Sequence, residues 1–590
     1  MIRCIFIFLI FASSIYAQKN SDWETYYEKS NYLETPRHAE TVAYCQRLDA
    51  ASEWIEYSSF GKSPQGRDLP LVIVDRNGNF TPEAVKQSGN AVVLFQSCIH
   101  AGEPDGKDAS LMLMRELAIS KKLSHLLEQA TVLFIPIFNV DGHENFSAFN
   151  RINQNGPKET GFRVTAQRLN LNRDFLKAES PEMQAWLKFF NQWLPDFMVD
   201  NHVTNGADHQ YALTYGIEYR HNLAEPLRRW TLDVMEPFLD KRMKESGQKM
   251  MRYFSINRRP DIKDGLNLNQ YYSPRFSTGY GAAQNRAFLL VETHMLKDYK
   301  TRVTANYHLM IHILELVNKE HASLLNANRL SDKITVEQFS GNIYPLNFQQ
   351  NTQDTLWRPF LGVEYEVVDS DISGGKWVQY SDKPKAMQLP FFEYSIVSDS
   401  AKIPYAYLIP PQWQFHINKI AEHGVTVNFL RSDTTLAVES YRFQNVQWPQ
   451  KPFEGRFLPS FQQDTVQEKR FYPAGTAVIL MNQRTNRVIA HLLEPNAPDS
   501  FLRWGYWNNI FERKEYTEDY TMEKMARQMI AENPGLKAEF EQALANNPGM
   551  AENRWARLYF FYARTQYWET DINLYPVGKL ITKTDLPLSK

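Results

Sequence analysis

Cysteine is scarce, three residues in 590. That excludes a disulfide-stapled scaffold and any Cys-rich zinc or iron–sulfur site. An excess of positive charge is also missing. Sixty-five Lys and Arg against 67 Asp and Glu leave a formal charge of -2. Nucleic-acid binding through bulk basicity is thereby excluded, and there is no polybasic membrane tether. After the first residues no apolar run is long enough to span a bilayer. No low-complexity tract is visible, and the two Asn-Pro-Gly elements, at 533–535 and 547–549, are too few for a repeat array. What remains is the composition of a globular chain, 43% hydrophobic and 22% charged. At ~100–200 residues per domain it has room for two to four.

The first residues read as a leader. Arg3 supplies a positive charge, Cys4 to Phe11 is apolar throughout, and Ala12 to Ala17 is a small-residue exit. This is the layout of a secretory signal peptide over 1–17, cut after Ala17, and it predicts a periplasmic or extracellular protein. Only Cys45 and Cys98 would then remain, and their pairing stays open.

From 18 to 324 apolar runs alternate with helical patterns. Leu69–Val74, Ala91–Phe95, Thr131–Ile135, Phe197–Asp200 and Ala287–Val291 read as strands; Ala109–Ile119 and Glu182–Trp193 read as helices. Uninterrupted apolar strands separated by helices predict an α/β domain with a mainly parallel sheet covered on both faces. Ligands of such sheets sit at the carboxyl ends of strands. From 325 to 500 the pattern is β-rich: Gly362–Val368, Thr426–Leu430 and Thr435–Tyr441 read as strands, and Thr476–Met481 with Arg487–Leu493 as a hairpin. A helical region is expected over 501–590.

Polar residues after the apolar runs are the ones to inspect. His100-Ala101-Gly102-Glu103 follows the Ala91 strand, and a His and a Glu three apart can share one zinc ion. The spacing alone is weak, since it recurs at His125/Glu128, His312/Glu315 and His491/Glu494. The first instance differs in lying in a small-residue segment with two glycines, Gly102 and Gly106, where backbone and ligands can crowd together. His202, after the Phe197 strand, is the preferred third ligand, with His209 in the adjoining loop as its competitor. Glu292 ends another apolar strand. A carboxylate there needs a partner or a task, and a general base beside a metal-activated water would be one.

His100-x-x-Glu103, Asn172-Arg173, His202 and Glu292, in that order on an α/β pattern, resemble the zinc metallocarboxypeptidases of the carboxypeptidase A type over about residues 25 to 320. The resemblance implies an α/β/α sandwich with a mixed eight-stranded sheet and one zinc ion on His100, Glu103 and His202. Glu292 would be the base, and Asn172 and Arg173 would grip the substrate's terminal carboxylate. A further arginine would polarise the scissile carbonyl; Arg151 fits best, with Arg163 and Arg168 as alternatives. A tyrosine would close over the substrate, taken as Tyr272 over Tyr271 and Tyr280. The family often carries Asp where this chain has Asn170, whose amide carbonyl is expected to accept a hydrogen bond from His100 instead.

The resulting expectation is an exported zinc carboxypeptidase acting on peptides with a free C-terminal carboxylate, without nucleic-acid partner or membrane span. The alternatives are a related zinc amidase acting on cell-wall peptides, or a catalytically silent protein that binds peptides or glycans. The side-chain pocket is expected around Ser273–Gly281. Arg275 in that stretch is either a reader of acidic side chains or a surface residue.

Overall fold

The computed structural model describes residues 23–589 except 205, 220, 221, 259, 269 and 270. The leader read at 1–17 lies outside them. Ten strands come first: β1 (Ile55–Lys62), β2 (Asp68–Val74), β3 (Ala91–Gln96), β4 (Ala130–Ile135), β5 (Phe197–Thr204), β6 (Leu213–Gly216), β7 (Met250–Arg252), β8 (Phe254–Ile256), β9 (Leu266–Leu268) and β10 (Ala287–His294). Eight of them form one sheet in the order β1-β2-β4-β3-β5-β10-β6-β7. Its centre, β4-β3-β5-β10, is parallel, and β1-β2, β2-β4 and β10-β6 are antiparallel. The expected mixed, mainly parallel eight-stranded sheet is therefore present. The central strands are buried almost throughout, as their uninterrupted apolar sequences require.

Helices cover both faces. On one, the helices α1 (His38–Ala51), α2 (Asp105–Met114) and α3 (Tyr299–Gln338) pack Leu48, Leu113, Leu309 and Ile313 against Val93, Phe95 and Val199. On the other, the helices Pro181–Trp193 and Ser277–Ala283 pack Trp186, Phe190 and Tyr280 against Leu94, Met198 and Phe288. This second core continues into the C-terminal region through Tyr407, Ile417, Ile479, Val488 and Phe501.

Beyond α3, which bends at Glu320 and continues past residue 325, the chain is β-rich as expected. Strands Thr355–Asp369 and Lys376–Phe392 extend a small sheet begun by β8 and β9. A separate seven-stranded sheet contains Ala406–Ile409 and Ala477–Leu480. Helices follow from Asp519 to Tyr562, and the last residues return two short strands, Gly578–Leu580 and Leu588–Ser589, to that sheet.

One local reading fails. Asn486–Leu493 is a helix rather than the second arm of a hairpin, and all eight of its residues are buried. Arg487 and His491 stand four apart on one side of it, a helical spacing, but eight residues are too few for that period to stand out against the β-branched pair Val488-Ile489. The buried Cys45 and Cys98 are free thiols.

Candidate active site

The chain runs from β3 outward to β4 and then crosses back over β3 to β5. The switch in direction opens a crevice at the carboxyl ends of β3 and β5. His100 and Glu103 occupy a tight turn after β3, closed by Glu103 N–H to His100 O at 3.0 Å. Glycine is required nearby. A Cβ on Gly106 would lie 2.4 Å from Asn201 Cβ, and one on Gly102 2.8 Å from Gly161 O.

His202 and Glu292 lie inside strands rather than after them, because β5 and β10 stay paired through Thr204 and His294. The two are direct register partners, so their side chains leave the same face of the sheet. Both line one cavity of about 660 Å³ together with His100, Glu103, Arg151 and Arg173.

His100, Glu103 and His202, all buried, bring one ligand atom each within 4.8 Å of one another. The Nδ1 atoms of the two histidines are 3.2 Å apart, and Glu103 Oε2 is 3.2 Å from His100 Nδ1 and 2.9 Å from His202 Nδ1. Donors at ~2.0–2.2 Å around a tetrahedral ion stand about 3.3 Å apart, so this triangle suits zinc. The protonation states of His100 and Glu103 agree. Burial pushes His100 down to about 4, leaving a neutral ring with a lone pair to give. Burial opposes ionisation of Glu103, but His100 and Arg151 beside it hold its carboxyl well below the usual range. His202 Nε2 donates to Asp200 Oδ2 at 3.1 Å; against the cost of burial, Asp200 and Glu103 hold the ring well above the usual value, so a metal at Nδ1 would displace a proton.

Asp200 is a functional neighbour that the sequence reading missed. Two residues apart on one strand, Asp200 and His202 share a face, so the Asp-x-His spacing in an apolar strand was the available signal. Asp200 also accepts a hydrogen bond from Gln96 at 3.1 Å and one from Ser277. The expected Asn170–His100 bond, by contrast, is absent. Asn170 Oδ1 accepts the N–H of Asn172 instead, and among the described residues His100 Nε2 has no hydrogen-bond partner.

The remaining candidates separate by position. Glu292 is pushed up to about 8 by burial, against the pull of His202 and with Glu103 and Asp200 adding to it. Arg151 places NH2 2.9 Å from Glu103 Oε1 and Nε 3.1 Å from Gln154; Arg163, more exposed, reaches the same carboxylate at 3.7 Å. Arg168 belongs to another cavity, with Arg67 and Asp141. His209 is outside the cluster, its ring 4.1 Å from that of His294.

Asn172 and Arg173 line the cavity. Arg173 bonds Asn172 O at 2.7 Å and lies 4.6 Å above the Phe276 ring. No carboxylate pairs with it among the described residues, and burial, with Arg163 nearby, disfavours its charge. Of the tyrosines, Tyr280 is buried in the core with Oη 2.9 Å from His423 Nδ1. Tyr271 lines the cavity but bonds Leu346 O at 3.1 Å. Tyr272 lines it with an Oη that has no hydrogen-bond partner among the described residues. Tyr253, not foreseen, lines it too. The three other His-x-x-Glu pairs are structural; His312 and Glu315, for example, bond each other, and Glu315 pairs with Arg242.

Residues 41–226 match the zinc carboxypeptidase family, Peptidase_M14. Over this segment the chain is similar to zinc carboxypeptidases. The match spans His100, Glu103, Asn172, Arg173 and His202 and stops short of Glu292. The chain is 21% identical over 500 residues to carboxypeptidase 2 of Trichophyton rubrum, covering 80% of this chain and 84% of that one. Against carboxypeptidase 2 of Trichophyton equinum it is 20% identical over 503 residues, again 80% and 84%. A metallo-carboxypeptidase from Pseudomonas aeruginosa aligns in structure with a TM-score of 0.36 and 17% identity, over 49% of this chain and 68% of that one.

Proposed function

We propose that the protein is an exported zinc metallocarboxypeptidase that hydrolyses the C-terminal peptide bond of peptides. The carrying observation is that Glu292, paired in register with His202, shares one cavity with the His100–Glu103–His202 cluster and with the unpaired guanidinium of Arg173. Zinc on that cluster would supply a Lewis acid and draw the pKa of a water down to ~7. Arg173 and Asn172 hold the substrate's terminal carboxylate, which a planar guanidinium can grip with two parallel hydrogen bonds. Glu292, as a carboxylate, takes the proton of the attacking water and returns it to the leaving amine. Arg151 spends Nε on Gln154 and NH2 on Glu103. Its NH1 group is the donor for charge developing on the scissile carbonyl oxygen. Tyr272 closes over the bound residue.

Export is supported by the leader pattern at 1–17. No described helix is long and apolar enough to cross a membrane.

The test is zinc content together with cleavage of a mixed peptide library read by mass spectrometry, for wild type and Glu292→Gln. Single-residue loss from free C-termini is expected, with amidated peptides spared and the variant slower by ~10²–10⁴-fold. Zinc-free protein, or a variant as active as wild type, rejects the mechanism. Cleavage confined to wall peptides with D-residues selects the amidase reading instead.

A further inference from the structure

The segment Tyr271–Phe276 carries much of the cavity wall, through Tyr271, Tyr272, Ser273 and Phe276, yet it belongs to no helix or strand. At its start Glu218, just after β6, accepts the Tyr272 N–H at 2.7 Å; its far end is held from outside the catalytic domain. Asp499, in the C-terminal region 224 residues away, is fully buried and takes Arg275 at two points. The Arg275 main-chain N–H donates to Oδ2 at 2.8 Å, and Nε donates to Oδ1 at 2.5 Å. A third bond runs from Arg275 NH2 to Pro498 O at 3.1 Å, and the guanidinium lies 5.0 Å over the Trp504 ring. Asp499 is itself set rigidly. Ala497 N–H bonds Glu494 O, Ser500 Oγ bonds Pro495 O, and Phe501 N–H bonds back to Leu492 O.

This geometry answers the question left by the sequence. Arg275 is neither a reader of acidic side chains nor a free surface residue, because its charge is matched by Asp499. The next residue, Phe276, is the ring beneath Arg173, so a main chain fixed at Arg275 fixes the platform on which that guanidinium rests.

We infer that Asp499 is a positioning residue for substrate binding: through Arg275 it holds Phe276 and hence Arg173 in place, so that the C-terminal region completes the pocket of the catalytic domain. The binding consequence rests on the function proposed above; the structural one does not.

The experiment uses the full chain and compares wild type with Asp499→Asn by hydrogen exchange of the 271–276 amides and by steady-state kinetics on a peptide with a free C-terminus. Faster exchange confined to this segment is expected, with KM raised about tenfold and kcat changed little, the pattern of lost ground-state binding. Glu179→Gln, which breaks a different inter-region ion pair, Arg456–Glu179 at 2.6 Å, should leave both readouts as in wild type. Unchanged exchange in Asp499→Asn, or an equal KM rise in Glu179→Gln, overturns the inference. If Asp499→Asn does not fold, Arg275→Gln, which removes the guanidinium and leaves the main-chain bond, is read by the same measurements. Wild type without peptidase activity would reject the proposed function alone, and the exchange comparison, needing no substrate, would still decide whether Asp499 holds the loop.

Discussion

Asp200 and His202 stand two residues apart on one buried strand, and the hydrogen bond between them, 3.1 Å from Nε2 to Oδ2, selects which imidazole nitrogen faces Glu103. In this chain the orienting carboxylate therefore serves the second histidine, while the first has no hydrogen bond from its Nε2 among the described residues and none to Asn170. Asp200→Asn keeps the shape and removes the charge that makes the His202 ring a stronger donor. Zinc affinity, measured by competition with a chelator, should fall about 10–100-fold, while the unliganded protein keeps its circular dichroism. Unchanged affinity would remove Asp200 from the metal centre.

Arg173 has a binding partner to find. Its stacking on Phe276 satisfies the face of the guanidinium but not its charge, and the bond to Asn172 O occupies only one of its five N–H groups. Arg173→Met should lower kcat/KM on free-acid peptides by at least ~10²-fold, since a buried charged hydrogen bond is lost at the group that selects the substrate. Amidated peptides, poor substrates for the wild type, should change little. An equal loss on both would place Arg173 in folding rather than in recognition.

The legible and the hidden parts of this site differ in kind. His100, Glu103, His202 and Glu292 could be picked out because each follows or ends an apolar run, and burying polar groups there demands a reason. Asp200 was equally available through the two-residue period of a strand, but it read as the end of the run. Asn170 misled because a short amide two residues before an N–H finds a local partner more readily than a distant one. The bond between Arg275 and Asp499 spans 224 residues, and neither residue lies in a pattern that names the other. Contacts between regions depend on how two cores dock, and hydrophobic periodicity carries no information on that.

Tyr272 fits where it does because β6 presents Gly216. A Cβ at that position would lie 2.2 Å from the Tyr272 hydroxyl oxygen and 3.0 Å from Cζ, so Gly216→Ala must displace the ring. A stability loss of ~1–3 kcal/mol is expected from such overpacking, with kcat/KM down about tenfold and zinc affinity unchanged. Tyr272→Phe isolates the hydroxyl. It removes a buried group with no partner among the described residues, so thermal stability should hold or rise, while kcat/KM falls if the hydroxyl meets the substrate. Equal activity of Tyr272→Phe and wild type would leave the ring, not the hydroxyl, as the working part.

Glu182, in the first turn of the helix Pro181–Trp193, is buried with no hydrogen-bond partner in another described residue. Burial pushes its carboxyl up to about 7, and the nearby Asp141 and Asp174 add to the shift. In the unfolded chain the same group would ionise near 4.5. Between those values the native state holds a proton that the unfolded state has released, so this residue lowers stability as pH rises from about 4.5 to 7. Above that window the destabilisation is complete, on the order of 3–4 kcal/mol at ~1.4 kcal/mol per unit. Glu182→Gln removes the titration. Its Tm should exceed that of the wild type clearly at pH 8 and by little or nothing at pH 4.5. The same gap at both values would mean that the gain comes from packing rather than from an unneutralised carboxylate.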